Sequence, residues 1–165
     1  MAKSKKIRQK FDGLHSDLRS NVSGDELQDE DMLRRAAAAI AVLGETFEKH
    51  AIAEVEKMYR LFREGSDMKD KRQKHAQEIF RIAHDLRGQG TTFEYPLVTR
   101  ISGSVCTFIE GRRKQGTLDA DDFEVICVHL DALNAVLALR VVGDGGPTGR
   151  EIGDGLEYAV KKILA

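Results

Sequence analysis

Tryptophan is absent from this chain of 165 residues, and proline and cysteine occur only twice each. So little proline leaves long stretches without a breaker, which favours helices over turn-rich strands. The isolated Cys106 and Cys127 exclude a disulfide framework. Both sit in apolar helical patterns and read as buried free thiols in a reducing, cytoplasmic setting. No apolar run approaches the roughly 18 residues of a membrane span, and no signal-peptide pattern opens the chain. A net charge of −1 leaves no global field to draw in nucleic acid or an anionic membrane. Strand-type alternation is missing throughout. The glycine-rich run Gly143–Pro147 lacks the Gly-Lys-(Ser/Thr) of a phosphate loop, so it reads as an interhelical turn. Without an ATP-binding pattern the chain is not expected to phosphorylate anything by itself.

What remains is a chain with 41% hydrophobic and 32% charged residues, the composition of a soluble domain. Residues 1–28 are polar and carry Lys3, Lys5, Lys6, Arg8 and Lys10; they read as a basic, solvated and flexible segment. Residues 29–165 read as one helical domain. An apolar stripe through Leu33, Ala36, Ala37, Ile40, Leu43, Phe47, Ala51, Val55, Met58 and Phe62 predicts a long first helix, with Gly65 as its stop. Ser66 or Asp67 can cap a second helix over 67–93, and Pro96 opens a third that runs to about Arg113. Asp119 or Asp121 can cap a fourth over 119–142. Its two apolar stripes (Phe123, Ile126, Leu130, Leu133, Leu137 and Val125, Val128, Ala132, Ala135, Leu139) predict a central position. Thr148 and Glu151 form a capping box for the last helix, with Ile152, Leu156, Ala159, Val160 and Ile163 inward. Short loops imply antiparallel neighbours. The expected fold is all-α: an antiparallel four-helix bundle with an additional or extended N-terminal helix, about five helices in all. The surplus length of the first helix suits packing against a second copy of the chain, as a homodimer.

The second helix carries the chemistry. Projected at about 100° per residue, Ala76, Ile79, Ala83, Leu86 and Gly90 share one arc, with Phe80 and Phe93 at its edges. His84 falls on the far side, towards water, with Gln77, Arg81, Gly88 and Thr91 beside it. Arg87 follows three residues on and Gly88 four. Packing explains Gly90, which lets a neighbouring helix come close, but gives no reason for Gly88. Each helical glycine costs about 1 kcal/mol relative to alanine, so Gly88 implies a compensating use. An exposed imidazole, a nearby cation and a missing side chain together suit a histidine that carries a phosphoryl group. Histidine titrates around 6.5 in model peptides, so such a group is mostly neutral at pH 7 and needs little activation.

The segment from His84 to about Glu110 resembles the histidine phosphotransfer (Hpt) domain, including the version that begins bacterial chemotaxis kinases. The family pattern, His-x-(Leu/Ile)-(Lys/Arg)-Gly followed by small residues and an aromatic or apolar residue, is matched by His84, Leu86, Arg87, Gly88, Gly90, Thr92 and Phe93. There are two departures. Where the family often has glycine after the Phe93 position, this chain has Glu94. Where the chemotaxis version places a glutamate that hydrogen-bonds the histidine, an ungapped count reaches Cys106. The resemblance implies a phosphorelay protein that is a carrier rather than an enzyme. His84 is then the phosphoryl acceptor, Arg87 offsets phosphoryl charge, and Gly88 leaves room for the partner. Gln77, Arg81, Gln89 and Thr91 form the docking rim. The implied partners are a histidine kinase and the receiver domain of a response regulator; any magnesium belongs to that receiver. Neither cofactor nor metal is expected in this chain, and neither nucleic acid nor membrane as a partner.

Two other classes compete. One is a helical-bundle scaffold or interaction protein, a degenerate phosphotransfer domain without transfer. The other is a metal-dependent helical enzyme, for which His50 and Glu54, four residues apart, supply too few ligands.

Overall fold

Apolar residues recurring every three to four positions wind the chain into five helices among the described residues. The computed structural model describes residues 26–165, with side chains from residue 29. The helices are α1 (Glu26–Asp67), α2 (Arg72–Gly90), α3 (Pro96–Gln115), α4 (Ala120–Ala138) and α5 (Gly146–Leu164). No strand occurs among these residues. The basic segment 1–25 and the side chains of residues 26–28 lie outside them.

The chain divides into two units, one ending at Val42 and the other spanning Leu43–Ala165. The described part of the first unit is helical and carries an Asp31–Arg35 ion pair of 2.7 Å. Its Met32, Leu33, Ile40 and Val42 are exposed. The predicted stripe of α1 is therefore buried only from Phe47 onward, through Ala51, Val55 and Met58.

In the second unit, contacts along the helices fix their directions. Tyr59 of α1 donates to Asp131 of α4 and Phe62 stacks on Phe123 at 6.3 Å, so α1 and α4 run antiparallel, while Phe47 stacks at 4.8 Å on Phe93 in the α2–α3 turn. Gly90 meets Thr99, and the Cys106 Sγ–H points at the Phe80 carbonyl 3.7 Å away, so α2 and α3 run antiparallel. Ser104 with His129, and Arg112 with Asp122, do the same for α3 and α4. Helix α5 lies parallel to α3: Gly149 meets Leu97, Arg100 bonds Asp154 and Glu157, and Gln115 donates to the Leu164 carbonyl.

The central helix is α3, packed against α2, α4 and α5. This corrects the expectation for α4, which buries one stripe (Phe123, Ile126, Leu130, Leu133, Leu137) and leaves Val128 55% and Leu139 74% exposed. Small residues of α3 admit its neighbours from three sides: Gly103 meets the Arg87 side chain of α2, Ser104 bonds His129 of α4, and Gly111 meets Leu164 of α5. Likewise α5 buries Leu156 and Val160 but not Ile152, Ala159 or Ile163. Cys106 is buried, whereas Cys127 is only half-buried.

Several end signals act differently from expectation. Gly65 is an interior residue of α1, where a β-carbon would collide with the Phe123 ring, so it is there for packing and not as a stop. Neither Ser66 nor Asp67 caps α2, which starts at Arg72 without a side-chain cap. The Arg72 guanidinium instead donates to the Gly65 and Ser66 carbonyls at the end of α1. Thr148 and Glu151 do not box α5, because the left-handed Gly145 precedes its first residue, Gly146, and Asp144 accepts from the Gly146 amide. Asp119 does cap α4, in a reciprocal box with Asp122 at 2.9 and 3.0 Å.

Candidate functional site

Ala76, Ile79, Ala83 and Leu86 are all buried, which fixes the rotation of α2 about its axis. His84 is thereby held outward, its side chain 54% exposed. Its ring leans on Phe80, centroids 6.1 Å apart and planes 32° from parallel. Nδ1 stands 3.9 Å from Asp85, beyond hydrogen-bond length, and neither ring nitrogen is hydrogen-bonded to another described residue. Both nitrogens are therefore available to a reactant.

Beside His84 the surfaces of α2 and α3 form a groove of about 690 Å³. Lys74, Arg81, Arg87 and Arg113 line it with positive charge; Glu78 and Glu110 are its acids, and Gln77 and Phe80 complete it. Arg81 is held by Glu78 through two 3.0 Å hydrogen bonds, which keep the Glu78 carboxyl below its usual range. The Lys74, Arg87 and Arg113 side chains carry no close ion pair within the described residues, and they share the groove with the Glu78 and Glu110 carboxylates. Gly88 is exposed one turn beyond His84, and a β-carbon there would meet nothing within 4 Å. Gly90, by contrast, is pressed against Thr99 and the Tyr95 carbonyl. The two glycines thus have the different settings that the projection predicts.

Of the four residues expected to rim a docking surface, two share the groove. Gln77 and Arg81 share the groove with His84; Gln89 and Thr91 do not. Thr91 is turned to α3, where its hydroxyl donates to Thr99, which in turn donates to the Arg87 carbonyl. The α3 members of the groove, Glu110 and Arg113, were not singled out by sequence reasoning. Their membership depends on the antiparallel register of α2 against α3, which no local pattern encodes.

Cys106 does not face the groove. It is 1% exposed, it is directed at the Phe80 carbonyl, and burial pushes its thiol up to about 11. One turn on, Glu110 supplies the acid that α3 presents to the groove. The Glu94 departure also has a physical setting: its φ of 64° lies in the left-handed region that favours glycine.

Of the other histidines, His129 has a structural setting. His129 is 1% exposed; its Nδ1–H donates to the Val125 carbonyl at 2.8 Å, which leaves Nε2 to accept from Ser104 at 3.0 Å. Burial holds its pKa below the ordinary histidine value. His50 is exposed, and no group of three His, Cys, Asp or Glu converges among the described residues. Nor is any described helix long and apolar enough to cross a membrane. No protein-family model, curated protein or solved structure matches this chain.

Proposed function

We infer that this protein is a histidine phosphocarrier of the phosphotransfer type, accepting a phosphoryl group on His84 from one protein and passing it to another. The observation that carries this reading is the exposed, unbonded imidazole of His84 on a rigidly packed helix, beside a cationic groove and the open Gly88. A neutral ring nitrogen attacks the phosphorus of a phospho-aspartate. The P–N bond forms as the P–O bond to the carboxylate breaks, and the freed carboxylate stays on the donor. The reverse step delivers the group to an acceptor aspartate. Arg87, three residues from His84 on the same helix, offsets the charge of the phosphoryl oxygens. Positioning and charge are most of what phosphoryl transfer requires. The protein turns over no substrate of its own, and the metal ion belongs to the partner.

The test is incubation with a phosphorylated receiver domain or an active histidine kinase, followed by analysis for acid-labile, alkali-stable label. Label that disappears in His84→Gln supports the reading. Full labelling of that variant moves the site elsewhere, and no labelling by any such partner favours a helical scaffold.

A further inference from the structure

The groove opens at one end onto exposed cations that the chemistry at His84 does not itself need. Lys69 and Lys71 precede α2, Lys74 is in its first turn, and Arg113 and Lys114 are in the last turn of α3; all five are exposed. The two segments lie at the same end of the bundle, where Gln73 beside Lys74 donates to the Leu118 carbonyl just beyond α3. Two neighbouring arginines serve the fold instead: Arg72 is buried against the end of α1, and Arg112 bonds Asp122 at 2.6 Å. None of these five cations makes an ion pair among the described residues, although Asp67 and Asp70 are exposed in the same stretch as Lys69 and Lys71. Lys74 and Arg113 also line the His84 groove, so these two cations and the imidazole share one surface.

We propose that this basic end docks and orients an acidic protein face, whose carboxylates lie over Lys74 and Arg113 while its phosphorylated aspartate meets His84. The proposal rests on the phosphocarrier reading. A protein phosphorylated on aspartate that also holds a divalent cation must gather several carboxylates around the reacting atom, and that is the charge these cations complement. A nucleic acid fits less well, since Phe80, half-buried, is the one aromatic in the groove and leaves little for bases to stack on. Complementary charge of this kind accelerates encounter and fixes its orientation, and it weakens as salt screens it.

The experiment uses the full chain and a receiver domain that labels the wild type, and it follows transfer rates at about 20 mM and about 300 mM salt. The expected result is a wild-type rate that falls with salt, and a Lys74→Glu/Arg113→Glu variant at least about tenfold slower at low salt with little salt dependence left. Lys161→Glu/Lys162→Glu on α5 is the charge-matched control and keeps the wild-type behaviour; circular dichroism melts confirm that both variants fold. A labelled wild type whose rate is indifferent to salt and to the groove reversal overturns the docking surface and leaves the phosphocarrier reading standing. A wild type that no receiver or kinase labels overturns both. Salt-sensitive binding of a single-stranded oligonucleotide that the groove reversal abolishes, with no binding of a polyglutamate peptide, assigns the surface to nucleic acid and also overturns the proposal.

Discussion

Gly88 stands one turn from His84 on the same exposed face of α2, and a β-carbon at that position would touch nothing. Nothing in the folded chain requires glycine there. Gly88→Ala should therefore stabilise the protein by about 0.5–1 kcal/mol, the helix-propensity difference, while slowing transfer from a docked receiver. Urea unfolding and transfer kinetics on one preparation check both halves. A variant that gains stability without losing rate refutes the role given to this glycine.

Gly90, two residues on, should respond in the opposite sense. A β-carbon there would lie 2.6 Å from Thr99 Oγ1 and 2.8 Å from the Tyr95 carbonyl, and backbone cannot yield as a side chain can. Gly90→Ala is expected to cost about 1–3 kcal/mol through overpacking of α2 against the start of α3. A lower urea midpoint with an unchanged slope is the expected signature.

Glu94 occupies left-handed backbone within the α2–α3 turn, and its carbonyl accepts from the Gly143 amide at 2.8 Å. Glu94→Gly should remove the steric cost and gain about 0.5–1 kcal/mol, whereas Glu94→Val, β-branched, should lose stability. Thermal unfolding of the pair tests this, and equal melting temperatures would count against strain at this residue.

His129 makes stability depend on pH. Burial depresses its folded-state pKa below the ordinary value, so below about pH 6.5 the unfolded chain takes up a proton that the buried ring refuses. Its contribution is fully present above that pH and is lost as the pH falls towards the folded-state value, by at most about 1.4 kcal/mol per pH unit for one proton. His129→Gln should flatten the profile of unfolding free energy between pH 7 and pH 5. A slope identical to that of the wild type would sink the assignment.

The outward rotation of His84 was legible in the sequence, because a helix buries whichever face repeats its apolar residues, and Ala76, Ile79, Ala83 and Leu86 leave His84 no inward option. The distinction between Gly88 and Gly90 was legible for the same reason. The aspartate cap at Asp119 was legible because capping is local chemistry. Other local patterns misled. Gly65 looks like a helix stop until Phe123 is seen packed over it, and α4 looks central until its second stripe is seen facing water. A glycine or an apolar stripe states only what a position permits; the neighbour that uses it comes from elsewhere in the chain.

The amino-acid order alone set the helices and turned the imidazole outward, because both follow from periodicity over a few turns. Tertiary structure alone decided what shares the surface with that imidazole. Arg113 and Glu110 are far from His84 along the chain and reach its groove only because α2 and α3 pack in antiparallel register, with Gly90 against Thr99 and Gly103 against the Arg87 side chain. Sequence periodicity fixes which way a side chain faces, and packing between distant segments fixes what it meets.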